Sequence, residues 1–150
     1  VAIANYNGLD FGQTAAIQAS TLGGGATPPD PQGAAGPYSY VEAVNLSVAI
    51  FDPKTNGVNP TTNAIDDFFN VQGNLPDPNP NDLFSNTFSD PSVVFDEQTQ
   101  RFIVSCMEVD PGPQFGPNFT GNNSSVFDFA VSKSSNPLTL TTADWNFYQV

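Results

Sequence analysis

The sequence predicts an all-β protein built from two four-stranded antiparallel units. Three observations carry that prediction. Short apolar runs alternate with polar positions at a period of two, the pattern of half-buried strands. Pro 14 and Gly 12 punctuate those runs, so the segments between breaks are too short for long helices. The second half of the chain also repeats the first in the same order.

Residues 1–26 read as an N-terminal arm. Tyr6, Leu9 and Phe11 suit a short strand, Gln13 to Ser20 is mildly helical at best, and Leu22 to Ala26 is a glycine hinge. Residues 27–150 read as a single all-β domain with blade-like units at 27–72 and 89–150. Thr27 to Pro37 is rich in proline and glycine, which excludes helix and sets an extended, turning path. Tyr38 to Val44 and Leu46 to Phe51 follow as strands, and Asp52 to Gly57 as a turn. Ala64 to Asn70 reads as a further strand or one turn of helix. Residues 71–91 form a long Pro/Asn-rich loop.

The unit then restarts. Ser92 to Phe95 is a strand, Asp96 to Gln100 a tight turn, and Arg101 to Glu108 a strand. A second long loop covers Asp110 to Asn123. Val126 to Ser132 is a strand with Phe127, Phe129 and Val131 on one side. Asp144 to Val150 is the last, with Trp145, Phe147 and Gln149 on one face. Asp30-Pro31 matches Asp90-Pro91, Tyr40 to Val44 matches Phe102 to Cys106, and Ser47 to Phe51 matches Phe127 to Val131. A repeated four-strand meander suggests two propeller-type blades. A β-sandwich is the alternative, since short strands with turn signals suit both.

Charge excludes several functions. Asp+Glu number 15 against Lys+Arg 3, a net charge of −12, so the cations are too few to neutralise a useful run of phosphates. The same balance disfavours anionic membranes, and no apolar run nears the ~20 residues that span a bilayer. We therefore expect neither nucleic acid nor membrane insertion. The chain has no His, which removes the commonest general base and soft-metal ligand and any Ser-His-Asp or Cys-His apparatus within it. Cys106 is the lone cysteine, so no intrachain disulfide forms, and it alternates with apolar neighbours as a buried, inert thiol does. The Asn/Thr/Ser/Pro-rich, Lys-poor composition points to an extracellular or cell-surface setting.

Candidate sites are sparse. Asp30 and Asp90 each precede a proline at a strand entrance, where a carboxylate either caps backbone N–H groups or ligates calcium. Asp77, Asn79, Asn81 and Asp82 alternate oxygen donors as a calcium loop does, but Pro78 and Pro80 intervene and no Gly or Glu completes the pattern. The metal candidates are thus Asp30, Asp77, Asn79, Asp82 and Asp90, with Ca2+ as the one cofactor considered. Asp66-Asp67 is a like-charge pair that reads as solvated. Sequons begin at Asn45, Asn118, Asn122 and Asn123; the last three fall in a loop and are the better glycosylation acceptors. Phe115 and Phe119, in a Gly/Pro loop, are candidates for partner contact, whereas Trp145 and Tyr40 read as core.

Pro28 to Pro37 followed by Tyr40 to Asn45 resembles the opening of a group of large secreted bacterial proteins. Asp90-Pro91-Ser92-Val93-Val94-Phe95-Asp96, then Arg101-Phe102, resembles their next block. The resemblance covers roughly Thr27 to Val150. It implies a β-propeller, mostly of unassigned function in that group, often joined to cell-surface or adhesion modules, with further blades following. The expected partners are then other blades of a longer polypeptide or copies of the chain, and a carbohydrate or cell-surface protein. The implied function is a non-catalytic, extracellular structural or binding module. A weaker similarity is to the five-bladed furanosidase-like glycoside hydrolases, whose first blade opens with an Asp-Pro-Ser-Val-Val-type run. That implies Asp90 as a catalytic carboxylate, with Glu42, Glu97 or Glu108 as the only Glu partners and Glu97 poorly placed in a turn. A third reading is a self-assembling surface or filament subunit that uses open sheet edges and the arm.

Overall fold

The structure, a computed structural model, describes residues 7–18, 28–44, 46–55, 58–77, 87–116 and 121–150. It is all-β, with two four-stranded antiparallel sheets, each a simple meander. The first contains β1 (Gln32–Ala35), β2 (Tyr40–Val44), β3 (Ser47–Phe51) and β4 (Thr61–Ala64). The second contains β5 (Thr87–Asp96), β6 (Arg101–Asp110), β7 (Ser124–Ser132) and β8 (Trp145–Gln149). No helix among the described residues is long and apolar enough to cross a membrane.

Several boundaries differ from the sequence reading. The extended Pro/Gly segment supplies a strand of its own, β1, because four of the five residues between Pro31 and Pro37 pair with β2. Residues 71–91 are not one loop: a π-helical segment runs from Asp67 to Gln72, and β5 already begins at Thr87. Of Ala64 to Asn70, Ala64 ends β4 and the rest is helical. Phe68 and Phe69 drive that choice. Both are fully buried, and adjacent residues share one buried side on a helical turn but never on a strand. The mildly helical stretch of the arm is a helix, α1 (Phe11–Gln18). Its start is a reciprocal cap: Gln13 N donates to Asp10 Oδ1 at 2.8 Å, and Asp10 N donates to Gln13 Oε1 at 2.9 Å.

The core lies between the sheets. Val41, Ala43, Val48 and Ile50 of the first sheet join Val93, Phe102, Val104, Cys106, Ala130 and Trp145 of the second in one cluster. Ile65, Phe68 and Phe69 wedge into it. The Phe68 ring meets Trp145 edge-on at 5.5 Å and Phe147 at 4.9 Å, and Phe69 stacks on Phe88 at 6.2 Å. Each such pair adds about 0.5–1.5 kcal/mol beyond burial. Ser39 Oγ donates to Asn136 Oδ1 at 2.9 Å and Thr61 Oγ1 to Leu138 O at 3.3 Å, tying the first sheet to the β7–β8 connection.

The two sheets carry the same internal plan. Asp30 and Asp90, each followed by proline, both have positive φ, 40° and 52°. Beyond them run matching rows of paired residues: Ala34, Val41, Ile50 and Thr61 across the first sheet, and Val94, Ile103, Val131 and Asn146 across the second. These rows align Tyr40 with Phe102, as the sequence comparison did. They also set Ile50 on Val131, which corrects the third strand by one residue, since the sequence comparison had set Phe51 there. A one-residue slip matters because it exchanges the two faces of a strand.

Hydrogen bonding shows that the rows lie on corresponding faces. Ile65 N donates to Leu46 O at 2.9 Å, so by alternation Val48 and Ile50 bond toward β4. Phe127 and Val150 exchange both bonds, at 2.8 and 3.0 Å, so Phe129 and Val131 bond toward β8. For L-residues, the direction of bonding along a strand fixes which way the side chain points. Ile50 and Val131 are therefore on the same geometric face of their sheets. In the first sheet that face is buried against the second. In the second sheet it is turned outward, where Val94, Phe127 and Tyr148 are exposed.

Candidate functional site

β6 presents Phe102, Val104 and Cys106 to the core and then continues on the same side with Glu108 and Asp110. Opposite Cys106, β7 places Asp128 on that side too. Glu108, Asp110 and Asp128 are all fully buried. This buried carboxylate stripe is the chemically distinctive feature of the fold, and it falls into two parts.

Asp110 is structural. Its Oδ2 accepts from Asn122 N at 2.8 Å and from Ser124 Oγ at 3.4 Å, closing the loop between β6 and β7. Gly121 lies so close to Asp110 Oδ1 that no side chain fits there.

Glu108 and Asp128 form the other part. Asn70 Nδ2 donates to Glu108 Oε1 at 3.3 Å, while Glu108 Oε2 and both Asp128 oxygens find no protein donor. Two carboxylates turned toward each other are acceptors only, and one proton converts an acceptor into the missing donor. Burial, then the Asp128 charge and the more distant Asp77, push the Glu108 carboxyl up to about 8. Burial also raises Asp128, although Gln149 and Glu108 on its flank work the other way. That shift favours a proton on the pair near neutral pH. Burial first, then Asp128 and Glu108, push the Cys106 thiol far up, so the thiol is inert, in line with its sequence context.

A glycosidase needs two carboxyl groups about 5 Å or more apart with sugar between them. Glu108 and Asp128 are buried and within reach of each other's proton, an arrangement that leaves no sugar between them.

The sequence candidates lie elsewhere. Asp90 is exposed on an irregularity in β5, where the register shifts between Ser89 and Ser92, and its Oδ2 accepts from Ser89 Oγ at 3.3 Å. Glu42 lies in the first sheet, accepts from Leu9 N at 2.8 Å and is buried, as Glu108 is, whereas Asp90 is exposed. Burial raises the Glu42 carboxyl, partly offset by the Leu9 bond. Glu97 is in the exposed β5–β6 turn. The turn is built by its neighbour Asp96, which accepts from Gln98 N at 2.9 Å and Thr99 Oγ1 at 2.6 Å.

Asp30 and Asp77 are half-buried, and Asp77 is near enough to act on Glu108. Asn79 and Asp82 lie outside the described residues, as do Asn118 and Phe119. Among the described residues no three Asp, Glu, Cys or His gather as a metal would need. Asn122 is exposed. Asn123 has its side-chain oxygen taken by Gly112 N at 2.9 Å, which turns its amide into the loop. Phe115 falls in a short helical turn, Pro113–Phe115, within the β6–β7 loop. A small cleft of about 230 Å³ opens between the sheets, lined by Ser39, Ile50, Asp52, Thr61, Pro137 and Leu138. It is smaller than the ~300–1,000 Å³ usual for ligand pockets.

The residues that sequence reasoning missed are Asp110 and Asp128. Their signal was positional: both fall in step with alternating buried neighbours, Asp110 with Phe102 to Glu108 and Asp128 with Ala130 and Ser132. No family model, curated protein or solved structure matches the chain.

Proposed function

We propose that the chain is part of an extracellular β-propeller module: two successive blades with a structural or binding role, contacting partners through loops and performing no catalysis. The observation that carries this reading is the sense of the two sheets. Successive blades repeat by rotation, so one face of each is covered by the next blade. The face bearing Val41 and Ile50 is covered by the second sheet, and the corresponding face of the second sheet points away. Halves of a sandwich related by a two-fold would turn corresponding faces toward each other.

A non-catalytic role is supported by the carboxyl groups. Glu108, lifted to about 8, is fully buried, while Asp90, the residue the hydrolase reading needs, is exposed. The contact surface is then the β6–β7 loop, with Phe115 as its aromatic and Asn122 as its exposed sequon. Calcium at Asp30, Asp77 or Asp90 would stabilise loops rather than act on substrate.

The test is binding of the purified chain to immobilised polysaccharides and to intact cells. Saturable retention that Phe115→Ala weakens is the expected result. Cleavage of an arabinofuranoside or fructofuranoside, abolished by Asp90→Asn, would replace this reading with the hydrolase. A melting temperature raised by calcium and restored by chelator reports the metal separately.

A further inference from the structure

Among the described residues, the buried side-chain polar atoms without a protein partner all gather at one place: Asn70 Oδ1, Glu108 Oε2 and both oxygens of Asp128. Every one of them is an oxygen. Glu108 and Asp128 are diagonal neighbours across β6 and β7, since Asp128 pairs with Cys106, and both are fully buried. Asn70 reaches the pair from the helical segment, through the bond from its Nδ2 to Glu108 Oε1. That segment packs on β7. Gln149, opposite Asp128 on β8, donates from Nε2 to Pro76 O at 2.9 Å and fastens the chain that follows the segment beside the cluster. Asp77 is next in sequence, and its charge reaches Glu108.

A shared proton does not complete this cluster. Placed on Glu108 Oε2, it donates to one Asp128 oxygen. The other Asp128 oxygen and the Asn70 amide oxygen still lack a donor. No basic side chain answers them either. Arg101 bonds the carbonyls of Thr99 and Gln100, Lys133 bonds Thr142 O, and Lys54 lies in the turn after β3. Buried carboxylates are held by a counter-charge or a metal that offsets their desolvation.

We propose that Asn70, Glu108 and Asp128 bind a calcium ion between the second sheet and the helical segment. Carboxylate and amide oxygens are the ligands of a hard cation. Two carboxylates balance a divalent charge, and the amide oxygen adds a neutral ligand. The set thus differs from a cluster of three acids, which the described residues do not contain. Calcium tolerates irregular coordination and draws further oxygens from Asp77 or water. Magnesium demands a regular octahedron and sheds its water reluctantly, so a buried site suits it poorly. A net charge of −12 raises the concentration of divalent cations around the chain. The bound ion takes the place of the proton and ties the helical segment to β6 and β7. Its donors are separate from the loop carboxylates Asp30 and Asp90.

Calcium chloride added to the chelator-treated whole chain tests this, with melting followed by circular dichroism and binding by calorimetry. The expected result is one site, with dissociation at about 0.1–1 mM as in extracellular calcium modules. At about 10 mM calcium the melting temperature should rise by on the order of 5 °C, and by much less in the same concentration of magnesium. Hydrogen exchange at Gly73 N and Leu75 N, which bond Phe68 O and Phe69 O, should slow several-fold. Asp128→Asn and Glu108→Gln keep the shape and remove a charge, and each should abolish the calcium response; the second stands in if the first fails to fold. Glu97→Gln, which removes an exposed charge in the β5–β6 turn, should keep it. Melting indifferent to calcium overturns the proposal and leaves the cluster to a proton and water. An equal response to magnesium overturns it as general screening. A shift that survives both cluster variants overturns it too, and its loss in Asp90→Asn would then put the calcium on β5.

Discussion

Glu108 and Asp128 face each other in the core of the second sheet, both without solvent exposure and without a basic side chain to pair with. Such a pair is more stable with one proton shared than with none. The folded Glu108 carboxyl is raised to about 8, against about 4.3 for an unfolded glutamate, so the folded state binds the extra proton across that interval. Its stabilisation is present in full below the lower value and is lost as pH rises through the upper one. Groups facing the pair are Asn70, Asp77, Cys106 and Gln149, and the chain has no histidine to titrate in the same window. Raising pH from 6 to 9 should therefore lower the melting temperature by on the order of 5 °C. Glu108→Gln should flatten that dependence, and a curve unchanged in the variant would show that the proton sits elsewhere.

Gly36 lies where the first sheet's hairpin presses on the second. A Cβ there would meet Phe102 Cζ at 2.6 Å and Phe95 Cε2 at 3.0 Å. Both rings are held: they pack on each other at 4.7 Å, and Phe102 is fully buried. Gly36→Ala should therefore cost about 1–3 kcal/mol by overpacking. Urea denaturation measures it. A loss below ~0.5 kcal/mol would mean the rings yield, and the contact between sheets is looser than the packing implies.

Much of this fold is written in local pattern. The alternation from Phe102 to Cys106, the Asx turn at Asp96 and the face of Trp145 and Phe147 all follow from period and turn chemistry, and the structure agrees. What local pattern omits is which side becomes the interior. Phe127, Phe129 and Val131 form the more apolar side of β7, yet that side is outward, and Asp128, Ala130 and Ser132 are within. Composition ranks the two sides of β7 wrongly because the sheet's other three strands decide the matter. Phe102, Val104 and Trp145 outweigh one aspartate. Phe88 was lost to the loop reading for a similar reason: Asp90-Pro91 marks an irregularity inside β5, not its start. α1 was legible in hindsight from Asp10 and Gln13 at capping-box spacing.

Asp144 organises the connection between β7 and β8. Its Oδ2 accepts from Leu138 N at 3.0 Å, Thr139 N at 2.7 Å and Thr139 Oγ1 at 2.8 Å. Burial works to raise its carboxyl, but these bonds and Lys133 outweigh it, and the group is held below the ordinary aspartate range. A depressed carboxyl stabilises above its unfolded value and ceases to as pH falls through its folded one, so this contribution begins to fall away below about pH 4. Asp144→Ala should cost about 1–2 kcal/mol at pH 7 and less at pH 2–3. Equal losses at both pH values would remove the carboxylate from the explanation.

Thr139 also accepts from the other direction: Trp145 Nε1 donates to its carbonyl oxygen at 2.8 Å. One threonine is thus gripped at its amide and hydroxyl by Asp144 and at its carbonyl by Trp145, which is itself packed on Phe68. Trp145→Phe keeps most of the packing and removes the indole donor, leaving a carbonyl to find water. It should cost about 1–3 kcal/mol. Groups that position one shared residue do not act independently, so Trp145→Phe combined with Asp144→Ala should fall short of the sum by about 0.5–1 kcal/mol. Trp145 is the chain's single tryptophan, so the double mutant must be followed by circular dichroism rather than by indole fluorescence. Strict additivity in that cycle would mean the loop is pinned twice, at separate points, rather than once through Thr139.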